Sequence, residues 1–282
     1  MSATPRTLAS GFAFPECPRW HAGSLWFSDQ HEGFVRRLAP SGDVLEAFEV
    51  PGCPSGIGWL PDGDMLVVSM HERRLYRRSN GTLAPWAELG ALHPGHSNDM
   101  VVDAQGRAYV GNIGFDFDRG ETPCTTAVAL VHVDGRVEQA CDGLVCPNGS
   151  VISPDGRTLI IAESLGSRLH AWTIGENGRL QEHRVFAQLA SDILPDGICL
   201  DAEGCVWVST VGPAVLRVRE GGEILEHINV TGGSTYACML GGEERRDLYI
   251  CVAPHHDRNV TLRERGGRID VARVSVPGAG LP

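Results

Sequence analysis

Four polar residues stand in matching places along this chain: Glu16 in Glu16-Cys-Pro, Asn98 in Asn98-Asp-Met, Asn148 in Asn148-Gly-Ser and Asp196 in Asp196-Gly-Ile, each ahead of an apolar run. Singly, Asn-Gly and Asp-Gly are turn dipeptides that begin a strand. Together they are two carboxylates and two amide carbonyls, and such a set brought to one point is a costly unpaired cluster unless a cation sits among them. All-oxygen ligation suits one divalent metal ion, calcium first. Magnesium and manganese are alternatives, and zinc a weaker one, since zinc usually recruits His or Cys. Four donors for an ion that takes six to eight leave positions open to a ligand.

These residues need elements that repeat in phase, and the chain supplies them. Its 35 glycines and 17 prolines are spread along the whole length, which predicts many short elements joined by tight turns. What recurs is a hairpin with a turn such as Pro61-Asp-Gly63, Ala104-Gln-Gly106, Pro154-Asp-Gly156 or Ala202-Glu-Gly204. The strands after those turns close at Ser28, Ser69, Gly111, Ala162, Ser209 and Cys251, at intervals of 41, 42, 51, 47 and 42 residues. A third strand follows, as in Phe34–Leu38 or Ala214–Val218, then a glycine turn and a short fourth strand. A period of about 40 to 50 residues with four strands per unit predicts an all-β, six-bladed β-propeller spanning residues 1–282 as one domain. A strand near Thr7–Phe12 is expected to complete the last blade and close the ring.

In an antiparallel blade, the entry of the innermost strand and the exit of the second strand share one end. Counting back 12 to 14 residues from the first five closing positions reaches Glu16, Ser55, Asn98, Asn148 and Asp196, and the matching place in the sixth blade, 15 or 16 residues back, is Tyr236 or Thr235. The same register nominates Asp29, His31, His71, Asn112, Glu163, Thr210 and His255 as a pocket wall. His96, two residues before Asn98, falls nearer the proposed ion. The longest interval places extra chain from Asn112 to Thr126 at that mouth, where Phe115 and Phe117 could form a lid over an apolar part of a ligand.

Composition narrows the function. With 24 basic against 35 acidic residues the formal net charge is −11, so no nucleic acid and no anionic membrane surface is expected as a partner. No apolar run reaches 18 residues and the first residues do not read as a signal peptide, so a cytoplasmic location is expected. The nine cysteines include no Cys-x-x-Cys pair, and Cys141 and Cys146 are wrongly spaced for zinc; reduced, buried thiols are expected.

The chain resembles the senescence-marker-protein/gluconolactonase/luciferin-regenerating-enzyme family of six-bladed propeller lactonases over essentially its whole length. The resemblance is carried by Phe14-Pro-Glu-Cys-Pro-Arg-Trp20, Ser97-Asn-Asp-Met-Val-Val-Asp-Ala-Gln-Gly-Arg107, Pro147-Asn-Gly-Ser-Val-Ile-Ser-Pro-Asp-Gly-Arg157 and Pro195-Asp-Gly-Ile-Cys-Leu-Asp-Ala-Glu-Gly204. It implies that Glu16, Asn148 and Asp196 ligate the metal, that Asn98 lies beside it, and that the reaction opens a lactone, commonly a sugar lactone. One departure stands out: sugar-lactonase members often carry Arg two residues before that Asn, where this chain has His96.

The expected chemistry is polarisation of a lactone or ester carbonyl by the cation, with Asp196 or His96 taking the proton of the attacking water. Asn98, His96, Asn112, Phe115, His71 and His255 are the candidates for contact with a small-molecule lactone or ester. No Gly-x-Ser-x-Gly elbow supports a serine nucleophile. Two rivals remain: an aryl-ester or organophosphate hydrolase on the same metal scaffold, and a non-catalytic small-molecule-binding propeller with structural calcium. A monomer or weak homo-oligomer is expected.

Overall fold

A computed structural model of the chain describes residues 4–116 and 119–281. Strand β1 (Arg6–Phe12) precedes a first blade of β2 (Pro15–His21), β3 (Ser24–Asp29), β4 (Phe34–Leu38) and β5 (Val44–Glu49). The second blade holds β6 (Pro54–Trp59), β7 (Met65–Ser69), β8 (Arg74–Ser79) and β9 (Thr82–Glu88), and the third β10 (Ser97–Val102), β11 (Ala108–Asn112), β12 (Thr126–Val131) and β13 (Val137–Leu144). The fourth consists of β14 (Pro147–Ile152), β15 (Thr158–Glu163), β16 (Arg168–Ile174) and β17 (Leu180–Gln188), and the fifth of β18 (Ile198–Leu200), β19 (Val206–Ser209), β20 (Ala214–Val218) and β21 (Ile224–Asn229). The sixth has β22 (Ser234–Gly241), β23 (Asp247–Ala253) and β24 (Gly267–Arg273), and β1 pairs antiparallel with β24 to complete it. The result is a six-bladed propeller of four-stranded antiparallel sheets, closed by the N-terminal strand.

Alternation explains the packing. Each blade buries both faces, so its apolar residues meet those of the blades on either side, and six clusters fill the six seams. Phe12, Leu25, Phe27, Tyr249 and Ile269 close the seam between the sixth and first blades. Trp26, Ile57, Val67 and Tyr76 fill the next, and Val101, Tyr109, Ile152 and Trp172 the seam between the third and fourth. The other seams are built the same way. Among the described residues the exceptions to strand structure are a single 3-10 turn at Ser164–Gly166 and one short helix, α1 (Arg258–Glu264), in the link from β23 to β24. Asp257 caps that helix by accepting from the backbone N–H of Asn259 and Val260. No helix among the described residues is long and apolar enough to cross a membrane.

At the end of the channel where the hairpins turn, the C-terminal segment lies across the fourth and fifth blades, with Leu281 bridging Ile152 and Gly278 bridging Asp201. All nine cysteines are free thiols, six of them buried; Cys124 is exposed.

Candidate metal centre

The innermost strands do not enter the axis as regular ladders. Pairing with the second strand breaks between Glu16 and Arg19, Pro54 and Ile57, Ser97 and Met100, Pro147 and Ser150, and Thr235 and Ala237. Such a break re-aims the local side chains, and it falls at the positions read from the sequence as a ring. The glycines beside them serve close approach rather than turns. A Cβ on Gly149 would lie 2.6 Å from the Asp196 carbonyl oxygen, one on Gly197 2.3 Å from the Ala237 Cβ, and one on Gly56 2.4 Å from the Met100 nitrogen. Neighbouring blades are hydrogen-bonded there, Gly149 N–H donating to Asp196 O at 3.2 Å and Gly197 N–H to Tyr236 O at 2.8 Å.

Glu16, Asn98 and Asp196 are buried at this mouth and Asn148 is half-buried. Glu16 Oε2 accepts from the Cys17 N–H at 2.8 Å. Burial pushes the Glu16 carboxyl up to about 8, and the nearby Asp99 charge adds to the shift. Asp196 is held well above the usual carboxylate range, by burial first and then by the charges of Glu16 and Asp99, with relief from a hydrogen bond to Asn148. Arg19, whose charge acts on Glu16, is occupied: it donates to Asp99 Oδ1 at 2.5 Å and to the carbonyls of Pro18, Ile57 and Met100. Two carboxylates are thus buried where the charge of Glu16 raises Asp196, and among the described residues neither is in a salt bridge, the circumstance that a divalent cation relieves.

The donor set fits such a cation. Among the described residues no three His, Cys, Asp or Glu side chains converge as a metal site; the cluster here is two carboxylates and an asparagine carbonyl, an oxygen set suited to calcium, magnesium or manganese more than to zinc. The Asn148 orientation follows from its neighbour. Ser164 Oγ donates to Pro195 O at 2.7 Å, so it must accept from Asn148, and the amide nitrogen Nδ2 is the atom 3.2 Å away. That assignment leaves Asn148 Oδ1 as the available acceptor.

The remaining ring positions are supports. Ser55 Oγ accepts from Gln30 Nε2 at 3.1 Å and donates to Asn98 Oδ1 at 3.2 Å, so the Asn98 Nδ2 group remains as a donor. Thr235 Oγ1 accepts from the Thr210 N–H. Tyr236 packs on Phe14, ring centroids 4.6 Å apart.

The expected pocket wall is corrected at four second-strand exits. Asp29, Asn112, Glu163 and Thr210 are buried and engaged by neighbouring backbone and side chains, Asp29 Oδ2 by Arg36 and Glu163 Oε2 by Arg168 and His170. Asp29 Oδ1 accepts from the N–H of Ala13 and Phe14, and Glu163 Oε1 from Val145. Asn112 donates to Ala127 O at 2.7 Å and accepts from Thr126 Oγ1 at 2.8 Å, and Thr210 Oγ1 donates to Ala214 O. These buried groups brace the loops around the mouth, and Asn112 has both its amide nitrogen and its amide oxygen hydrogen-bonded within the protein.

The histidines lie in three places. His96 is half-buried and its ring packs against His71, centroids 4.4 Å apart. His31 stacks on Phe14 and its Nδ1 meets Thr261 Oγ1 at 2.7 Å. His255 is exposed and faces Glu264 of α1 at 3.5 Å. Phe115 is buried, and its loop packs on the segment carrying His96: Ile113 N–H donates to His96 O, and a Cβ on Gly95 would strike the Phe115 backbone. Phe115 is therefore part of the wall beside His96 rather than a free lid; Phe117 lies outside the described residues. Sequence reasoning missed the buried Arg19–Asp99 pair, whose signal was an arginine and an acid inside innermost strands.

A family model described as "SMP-30/Gluconolactonase/LRE-like region" matches residues 14–254. A 6-deoxy-6-sulfogluconolactonase of Pseudomonas putida is 25% identical over 278 residues, covering 95% of this chain and 93% of its own. Two solved structures share the fold at a TM-score of 0.84: a luciferin-regenerating enzyme, 18% identical and covering 99% of each chain, and a calcium-binding regucalcin of Agrobacterium tumefaciens, 24% identical and covering 100% of this chain and 97% of its own.

Proposed function

Since the chain belongs to the SMP-30/gluconolactonase/LRE-like family, we propose that it is a lactonase that opens a small lactone with a divalent cation held by Glu16, Asn148 and Asp196. The observation that carries this reading is the pair of buried carboxylates beside the Asn148 amide, with Arg19 committed elsewhere. The name of the Pseudomonas relative supports the lactone, and that of the Agrobacterium neighbour supports calcium as the first ion to try.

Bound there, a divalent cation would polarise the ester carbonyl and stabilise the charge that develops on its oxygen. The chain's own groups do the rest. Asn98 offers its Nδ2 N–H to a substrate oxygen, held in that sense by Ser55. A carboxylate oxygen of Asp196 takes the proton of the attacking water, with the His96 imidazole as the second candidate. The His71–His96 pair and Phe115 wall one side of the mouth, and Phe14, His31 and Tyr236 the other. The packed apolar seams behind them limit water to the mouth itself.

The test follows acid release from sugar, aliphatic and aromatic lactones with a pH indicator, before and after chelation and with calcium, manganese or zinc restored. Hydrolysis that disappears on chelation and returns with one metal supports the reading. Asp196→Ala is expected to lose both activity and metal affinity; wild-type values of both would overturn the assignment. Silence across the panel by a protein that binds metal tightly would point to a substrate outside the panel or to a binding propeller instead.

A further inference from the structure

We propose that Ser164 is a positioning residue of the metal centre: its hydroxyl fixes which atom of the Asn148 amide faces the cation and ties Asn148 to Asp196 across two blades. The inference rests on the metal reading above.

It follows from the hydrogen count. A carbonyl oxygen carries no proton, so the 2.7 Å contact between Ser164 Oγ and Pro195 O uses the only hydroxyl proton. The oxygen then faces Asn148 as an acceptor, and only Nδ2 can answer it. Pro195 immediately precedes Asp196, and Ser164 N–H donates to the carbonyl of Cys146, two residues before Asn148. One residue therefore holds the entry to the fourth blade and the entry to the fifth, the two segments that bring an amide and a carboxylate together.

The propeller supplies its own comparison. The residue one step past the exit of the second strand is Gln30, Met70, Ile113 and Ser164 in the first four blades. Each donates its backbone N–H to the chain ahead of the innermost strand, to Phe14, Cys53, His96 and Cys146 respectively. That bond belongs to the blade architecture and needs no particular side chain, as Met70 and Ile113 show. The side chain is polar at Gln30 and Ser164, and each then reaches into the next blade, Gln30 to Ser55 and through it to Asn98, Ser164 to Pro195. The Ser164 hydroxyl is thus additional to the scaffold and placed at the blade that carries Asn148.

The experiment titrates calcium and manganese calorimetrically into the full-length wild type, Ser164→Ala, Ser164→Thr, Asn148→Ala and the double variant, and melts each protein in chelator. Ser164→Ala is expected to weaken metal binding about 10- to 100-fold, the range typical for removing a group that orients a ligand. Ser164→Thr, which keeps the hydroxyl, is expected to restore most of it. With Asn148 already alanine, removing the Ser164 hydroxyl should cost little more, because its effect runs through that amide. If Ser164→Ala does not fold, Ser164→Cys, similar in size but a poor hydrogen-bonding group, carries the same expectation. Metal affinity in Ser164→Ala equal to wild type overturns the inference alone. Loss that Thr does not restore, matched by a fall in the metal-free melting temperature, also overturns it by making the hydroxyl merely structural. A wild type that binds no divalent cation overturns the metal reading and this inference with it.

Discussion

Arg19 reaches from the first blade into the third, and every direction it points in is answered: two carbonyls of its own and the second blade, one of the third, and Asp99. Its side chain is nearly inaccessible, 3% exposed against 4% for that of Asp99. Removing one member of a buried pair costs more than removing both, because the survivor keeps its charge without a partner. Arg19→Met is expected to lower stability by about 3–5 kcal/mol, read from urea unfolding, while Arg19→Met with Asp99→Leu should recover part of it. A second buried group sets an acid limit. His93 is fully buried with Nδ1 against Ser97 Oγ at 2.8 Å, and burial, helped by the Arg73 charge, lowers its pKa to about 4. Between pH 4 and 6.5 the unfolded chain binds a proton there that the folded chain does not, so stability is fully present above 6.5 and falls as pH drops toward 4. The share of His93 is up to about 3 kcal/mol. Urea midpoints at pH 7 and 5, in chelator, should fall less for His93→Phe than for wild type.

At the scale of the element, the innermost strands matter through their breaks and their glycines. Asn-Gly and Asp-Gly are turn dipeptides in most sequences, yet Gly149 and Gly197 lie where adjacent strands touch backbone to backbone around the axis. Gly149→Ala would drive a methyl into the Asp196 carbonyl and the Ile198 nitrogen, 2.6 Å from each, with no flexible side chain to yield. The expected outcome is a shift of Asp196 relative to Asn148, seen as at least tenfold weaker metal binding together with a lower melting temperature. Affinity and melting temperature both unchanged would show that the blades can part at no cost. The loop from Asn112 to Thr126 was readable as an insertion at the mouth from the 51-residue interval. Its inward packing on Gly95 was not, because a long interval says where extra chain is and nothing about which surface it covers.

For the whole molecule, closure is the decisive contact. Strand β1 pairs with β24 from Arg6 opposite Val271 to Phe12 opposite Gly267, joining residues more than 250 apart in sequence. Phe12 is buried edge-on against Phe27, centroids 4.9 Å apart, in the seam between the last blade and the first. Phe12→Ala should cost about 3–5 kcal/mol, and unfolding followed by fluorescence and by circular dichroism should remain coincident if the ring opens as one unit. The blade count, the closing strand and the four in-phase polar residues were legible in the sequence, because hairpin turns and alternation are local and a period multiplies them. Which exits face solvent was not legible: Asp29, Asn112, Glu163 and Thr210 share their register with His71 and His255, yet their side chains are buried against neighbouring backbone and side chains. Burial and hydrogen-bond partners at the axis depend on six strands meeting from distant parts of the chain. The sequence by itself determined the repeat and the chemistry offered at the mouth; only the tertiary structure decided that Arg19 answers Asp99, that Ser164 hydrogen-bonds Asn148, and that Glu16 and Asp196 share a desolvated space, because these contacts join residues that are separated in the chain.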